Sequence, residues 1–323
     1  GPLWAGLITN YGGWQWVFWI NIPLGLAVIA ALRFSPAGVR NLVKIDLIGG
    51  AMFVAALALL TAALSRAGDV DVLFGVLLIA TFASLMSTVW WHRRTEDPLL
   101  PVRLIRTLTF SASNLGHLAI GISLITAMVT VPLMANTVLG LSALDGGLML
   151  LRMTIAIPFG AVAGGYWVQR WGTRWPLLFG FGFAAIGLAA MSRWDLGISD
   201  PGMTLHLALA GLGFGLLIAP IHTTALHAAR AGERGSASAL ITVSRMVGMT
   251  IGLAALAAWG TTRFEHLAGD TPLTLEGVEQ IAQDGLTVFR GFFLSASIVA
   301  LLGLIPAWIM SKDRADSGPP ASD

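Results

Sequence analysis

The stretch that decides the fold is Thr107–Leu144, TLTFSASNLGHLAIGISLITAMVTVPLMANTVLGLSAL, which contains no Asp, Glu, Lys or Arg. About 20 apolar residues in a helix cross the roughly 30 Å hydrocarbon layer of a bilayer, so this run holds one such crossing. Its apolar residues are continuous, without the period-two alternation of a membrane barrel. Lipid offers the backbone no hydrogen bonds, so a helix is the structure that remains. Working outward, the same pattern recurs at Trp14–Leu32, Leu47–Ser65 and Val72–Trp91 on one side. On the other side it recurs at Gly146–Val168, except for Arg152, at Trp175–Ser192 and Met203–Leu226, at Ser236–Gly260 with Arg245 inside, and at Gly291–Met310. Together these make nine full spans, while the apolar Gly1–Thr9 is too short and reads as the end of a tenth.

Composition agrees. Of 323 residues, 56% are hydrophobic and 11% charged, with a mean hydropathy of +0.78. A soluble domain carries about 25% charged residues, and this chain lacks the polar residues to clothe a soluble fold. A soluble enzyme, a disordered chain and a nucleic-acid binder are excluded, the last because no basic run is present. The chain has no cysteine, so it has no disulfide, thiolate nucleophile or cysteine metal site.

Charge placement orients the spans. Connections near 33–46, 92–106, 169–176 and 227–235, together with the tail after 310, hold 13 of the 19 Lys and Arg. The opposite connections hold four: Arg66, Arg193, Arg263 and Arg290. This bias places the basic loops and the tail in the cytoplasm. The loop Thr261–Gly285, with five acids, is expected outside. Tryptophans such as Trp14, Trp16, Trp90, Trp91, Trp167, Trp171, Trp175, Trp194, Trp259 and Trp308 fall near span ends, where the indole bridges the interface. His92–Thr107 reads as an amphipathic piece on the inner membrane surface.

No catalytic constellation is visible: there is no HExxH, no GxSxG and no paired carboxylate within a span. Gly211, Gly213 and Gly215 lie inside an apolar run, so close helix packing is the better reading than a phosphate loop, as it is for Gly160/Gly164 and Gly248/Gly252. Pro132, Pro158 and Pro220 can bend their spans. His222 and His227 are five apart with no carboxylate nearby, which argues against a metal site. His117 and His206 lie within spans, as cavity-lining groups or as interhelical hydrogen-bond partners. Arg152 and Arg245 are the sharpest signals, because a charge at membrane depth avoids lipid. Arg152 is a possible buried charge or an outward-reaching side chain, and Arg245 a cavity group or a structural contact. The polar residues of the later spans give a set of substrate-path candidates: Asn114, His117, Thr126, Thr130, Asn136, His222, Thr223 and Arg245.

The motifs add a resemblance. Gly1-Pro2-Leu-Trp-Ala-Gly6 is similar to the second half of the antiporter motif in the fifth span of major facilitator drug exporters. Trp14-Gln-Trp16-Val-Phe18-Trp-Ile20-Asn21-Ile-Pro23-Leu-Gly25 resembles the W-R-W-x-F-x-I-N-x-P-x-G signature of the fourteen-span drug:proton antiporters. Asp46-Leu-Ile-Gly49 and Asp97-Pro-Leu-Leu-Pro-Val-Arg103 match the ends of that family's extra helix pair. Gly165-Tyr-Trp-Val-Gln169-Arg170-Trp-Gly172-Thr-Arg174 resembles its inner-loop motif, with Gln169 in place of the acid.

The resemblance implies an all-α polytopic membrane protein of the major facilitator fold. Residues 1–34 would close the N-terminal helix bundle, residues 35–108 form two additional linker spans with an amphipathic inner loop, residues 109–311 make the C-terminal six-helix bundle, and residues 312–323 form a cytoplasmic tail. It implies secondary transport by alternating access, driven by the proton gradient with no cofactor. Efflux of drugs or other hydrophobic or cationic molecules is the first expectation, and export of another solute such as a lipid, sugar or siderophore the alternative. A non-transporting membrane enzyme is the reading from a different class. The expected partners are a small-molecule substrate, the lipid bilayer (a bacterial cytoplasmic membrane) and the missing N-terminal spans of the same chain, and no nucleic acid. None of the nine spans has Asp or Glu at its middle, so the coupling carboxylate is expected upstream, with His117 and His222 as local alternatives.

Overall fold

The computed structural model describes residues 15–33, 46–68, 71–95, 102–268 and 275–316. Among the described residues the regular structure is entirely helical. A short turn of helix, α1 (Trp16–Trp19), leads into α2 (Asn21–Leu32). Two helices follow as a pair, α3 (Leu47–Leu64) and α4 (Val72–His92), and a short α5 (Val102–Ile105) precedes the main bundle. The bundle comprises α6 (Leu108–Thr137), α7 (Ala143–Trp171), α8 (Arg174–Met191), α9 (Gly202–Ala228), α10 (Arg234–Ala268), α11 (Leu275–Leu302) and α12 (Leu304–Asp316). Eight helical stretches among the described residues are long and apolar enough to cross a membrane, with α11 and α12 making one crossing. The expected ninth, Trp14–Leu32, is represented by α1 and α2, of which Asn21–Ala31 is apolar but shorter. Gly1, Pro2 and Gly6 of the antiporter-like motif lie outside the described residues.

The helix ends follow local chemistry. Asp46 caps α3 by accepting from Gly49 N–H at 2.8 Å, and Asp71 caps α4 by accepting from Phe74 N–H at 2.8 Å. Ser142 and Asp145 form a reciprocal capping box at the start of α7. Gly172 ends α7 at φ +76°, a backbone conformation that disfavours a Cβ. That accounts for glycine at this point of the inner-loop motif. Gly303 interrupts the last crossing between α11 and α12, and Pro306 follows three residues on without an N–H to continue the ladder.

Helices α3 and α4 pack mainly on each other. Asp46 joins them, accepting from Trp91 Nε1–H at 3.1 Å, while its second oxygen lies 3.8 Å from His92 Nε2. His92 Nδ1 is 2.7 Å from the Thr88 carbonyl and so carries the hydrogen. Elsewhere the pair shows apolar surface, with Val72 84% and Leu47 75% exposed. Such surface suits lipid rather than water.

In the main bundle α9 is central and packs on α6, α7, α8 and α10. Glycines set the closeness of these contacts. A Cβ on Gly211 or Gly215 would run into the Met153 or Ile157 carbonyl of α7, and one on Gly160 into the Leu212 carbonyl of α9. On the other face of α9, Gly213 leaves no room for a Cβ against Ala184 of α8. Gly121 and Gly248 do the same for α6 against α10, meeting Arg245 and Leu118 backbone respectively. The glycine runs are therefore packing surfaces, as their spacing implied. Phe181, Leu188, Phe214, Leu217 and Phe293 fill the centre with at most 2% exposure.

Two expectations are corrected. Thr261–Gly285 is mostly helix, because α10 continues to Ala268 and α11 begins at Leu275. Leaving the apolar layer does not end a helix whose backbone bonds are internal, and Thr262 Oγ1 still donates to the Ala258 carbonyl at 2.9 Å. Trp194 is not an interfacial anchor. Its side chain is buried, with Nε1–H donating to His206 Nδ1 at 3.0 Å and its ring 5.7 Å from that of Phe293.

Candidate functional site

Three helices bring two intramembrane histidines and an arginine together. His117 stands about 14 Å from the start of α6 at 1.5 Å per residue, and is 2% exposed. Its ring meets that of half-buried His222, on α9, edge to face with centroids 4.9 Å apart. The Arg245 charge, on α10, acts on both imidazoles. Glycine packing makes this possible, since Gly121 lets the backbone at Arg245 lie directly against α6. One turn away, Ser244 Oγ donates to Asn114 Oδ1 at 2.6 Å, and Asn114 Nδ2 donates to the Phe110 carbonyl at 2.9 Å. His117 Nδ1 and Arg245 Nε are buried with no hydrogen-bond partner among the described residues. One guanidinium beside two imidazoles within the bundle can hold a polar or anionic group of a ligand or another segment.

The other sequence candidates divide. Thr126 Oγ1 donates to its own helix at the Ile122 carbonyl, 2.8 Å away. Thr130 is 1% exposed and its hydroxyl has no partner among the described residues. Thr223 is half-buried one position beyond His222. Asn136 is exposed near the end of α6 and donates to the Leu141 carbonyl at 3.0 Å, so it shapes the turn after that helix. Arg152 is a third exposed, not buried. It donates to Asp200 Oδ1 at 2.7 Å and to Thr204 Oγ1 at 2.9 Å, an ion pair joining α7 to the start of α9. His206 accepts from Trp194 and is a packing histidine.

Sequence reasoning missed Asp284. Expected in the loop Thr261–Gly285, it is 9% exposed within α11, where one oxygen accepts from Gln280 Nε2 at 3.1 Å and the other is buried with no partner among the described residues. The i, i+4 spacing to Gln280 was the available signal. Of the inner-loop motif, Arg170 Nη1 donates to Tyr166 Oη at 3.2 Å, and the Arg174 guanidinium lies 4.9 Å from the Trp308 ring centroid. Gly165 is half-buried facing Ala219 at 4.0 Å. Trp16, Asn21 and Pro23 sit on exposed surface of α1 and α2.

Two apolar cavities, each open on one side, flank this centre. One of about 680 Å³ lies between the C-terminal part of α6, α10 and the N-terminal part of α11, and another of about 480 Å³ adjoins it. Both include Leu256 and Phe292 in their walls.

Glycine-packed membrane helices around a polar centre and apolar chambers define a polytopic membrane protein of transporter architecture. The chain matches the family model of the Major Facilitator Superfamily over residues 1–253 and 113–323, and it belongs to that superfamily. It is similar to a triacylglyceride transporter of Mycolicibacterium smegmatis, 31% identical across 96% of this chain and 62% of the relative. It is also similar to a triacylglyceride transporter of Mycolicibacterium hassiacum, 36% identical across 82% of this chain and 53% of the relative. A triacylglyceride transporter of Mycobacterium tuberculosis is 30% identical across 98% of this chain and 67% of the relative. The chain thus spans little more than half the length of the first two. In three dimensions it resembles the inward-facing, unoccupied crystal structure of a bacterial homologue of the human lysosomal transporter Spinster. The TM-score is 0.57 at 13% identity, covering 78% of this chain and 62% of that one.

Proposed function

We propose that this chain is part of a secondary transporter that exports a hydrophobic solute by alternating access, and that the solute is a neutral lipid. The observation that carries the reading is the similarity, over most of the chain, to relatives named triacylglyceride transporters. The two apolar cavities support it, because among the described residues no charged side chain stands in either wall, whereas a cationic drug would call for a carboxylate there. Rocking of this bundle against a second one would expose the His117–His222–Arg245 cluster to each side in turn. The proton gradient is the proposed energy source, without a cofactor. The membrane is a bacterial cytoplasmic membrane with the C-terminal tail inside, in keeping with the loop charges.

Drug:proton antiport is the second reading, favoured by the Trp14–Gly25 signature. One experiment separates them. The complete polypeptide is reconstituted in vesicles with an imposed pH gradient and offered a fluorescent triacylglyceride or ethidium. Gradient-dependent movement of the lipid and not of ethidium supports the proposal. The reverse pattern establishes the drug reading, and movement of neither overturns both.

A further inference from the structure

Four connections near 33–46, 92–106, 169–176 and 227–235 hold most of the basic residues between spans. Three of them also hold acids: Asp46 in the first, Glu96 and Asp97 in the second, and Glu233 in the fourth. The turn QRWGTRWP, residues 169–176, holds Arg170 and Arg174 and no acid, because Gln169 stands at the acid position of the motif it resembles. Its positive charge is therefore uncompensated within the turn.

The structure adds nothing to neutralise it. Arg170 and Arg174 are exposed and make no ion pair among the described residues. Arg66 and Arg152, by contrast, pair with Asp71 at 3.2 Å and Asp200 at 2.7 Å. Arg170 Nη1 donates to Tyr166 Oη at 3.2 Å, which engages one of its five N–H groups. The Arg174 guanidinium lies 4.9 Å from the Trp308 ring centroid and 5.7 Å from that of Trp175. These rings attract the cation but bring no oxygen acceptor. The turn thus offers open N–H groups in the planar fork that suits phosphate oxygens.

An apolar seat adjoins the charge. Trp171, Trp175 and Phe179 are 55%, 48% and 42% exposed. The Phe179 ring lies 6.0 Å from Trp175 and 5.8 Å from Trp167, and Trp167 lies 5.6 Å from Trp171, so the rings form one continuous surface over α7 and α8. Phe179 is five residues into α8 from Arg174, about 7.5 Å along the helix at 1.5 Å per residue. A soluble anion would use the arginines and leave these rings uncovered. A phospholipid covers both, with its phosphate at the turn and its glycerol and upper acyl chains on the rings.

We propose that the turn between α7 and α8 binds an anionic phospholipid of the adjoining leaflet, with Arg170 and Arg174 holding its phosphate and the aromatic surface holding its chains. This lipid is a bound neighbour, distinct from any transported solute. Because Arg174 begins α8 and Trp308 belongs to α12, an anion held there also braces those two helix ends against each other.

The test titrates the complete polypeptide, purified in detergent, with phosphatidylglycerol or phosphatidylcholine of identical acyl chains. Bound lipid is counted by native mass spectrometry. Phosphatidylglycerol should bind at least about tenfold more tightly and should raise the melting temperature. Arg170→Gln and Arg174→Gln should each weaken it roughly fivefold, the worth of one arginine near an anionic surface. Phosphatidylcholine binding should stay unchanged, which shows that the variants are folded. Gln169→Asp, which returns an acid to the turn, should weaken phosphatidylglycerol by a similar factor. Arg174→Lys should lose less than Arg174→Gln, and Arg193→Gln, exposed beyond the other end of α8, should lose nothing. Equal binding of the two lipids, or full phosphatidylglycerol affinity in both glutamine variants, overturns the site. Displacement of the lipid by excess inorganic phosphate overturns the lipid and makes the turn a site for a soluble anion. Failure of phosphatidylglycerol to bind at all also overturns it, and leaves an acidic stretch of the complete chain as the partner of the turn.

Discussion

The imidazoles of His117 and His222 meet edge to face, 4.9 Å between centroids, and tie the middle of α6 to α9 beneath the charge of Arg245. No acid stands with them in the cluster among the described residues, and Arg245 Nε is buried without a hydrogen-bond partner among those residues. We expect Arg245→Ala to reduce transport at least tenfold in the complete protein while surface expression persists, since a buried charge–dipole contact is worth about 1.5–3 kcal/mol. Transport assays normalised to surface protein check this. Normal transport by Arg245→Leu would show that the guanidinium serves only to reach the interface.

The contact between α7 and α9 depends on absent side chains. We expect Gly215→Ala to destabilise the protein by about 1–3 kcal/mol, because the new methyl would press on the Ile157 carbonyl and neither backbone can move alone. Gly182→Ala, in α8, is the control: nothing lies within 4 Å of its Cβ position. There the gain in helix propensity should leave stability unchanged or raised by up to about 1 kcal/mol. Thermal melting in detergent measures both, and equal behaviour of the two variants would contradict the packing account.

Arg152 and Asp200 form an ion pair whose side chains are 33% and 54% exposed, so its stabilising effect is small. Asp200→Asn should shift the melting midpoint by no more than about 2 °C. The Asp200 carboxyl is held below its ordinary value of 3.8, first by the Thr204 hydroxyl and then by the Arg152 charge. A lowered carboxylate pKa stabilises above the unfolded value and loses that contribution as the pH falls through the folded one. Any effect of Asp200→Asn should therefore be constant near neutrality and vanish only below about pH 4. A difference from the unaltered protein that changes between pH 6 and 8 would assign it to another group.

Orientation is open to a direct check because the chain has no cysteine. Ser199→Cys, exposed just before α9, should react with a membrane-impermeant maleimide added outside intact cells. Gly232→Cys, exposed in the turn between α9 and α10, should react only after permeabilisation. The opposite pattern would invert the topology drawn from the basic loops.

The spans were legible because a bilayer selects on composition along the chain: an uncharged run such as Thr107–Leu144 must be helical in lipid whatever its neighbours. Capping at Asp46, Asp71 and Ser142 and the glycine turn at Gly172 act within a few residues, so they too could be read locally. What tertiary structure alone decided is which side chains meet across helices. His117 and His222 were equal candidates with His206 in the sequence, and helix packing placed the first two against each other and gave the third to Trp194. Arg152 and Arg245 are alike in the sequence as charges within apolar runs, yet the fold gives Asp200 to one, while the charge of the other acts on two histidines. Asp284 and Thr130 are the same lesson, since burial and the presence of an acceptor depend on the neighbouring helices. Lipid solvation acts on each segment by itself, whereas hydrogen bonds and charges within the bundle depend on how helices distant in the chain are rotated against one another.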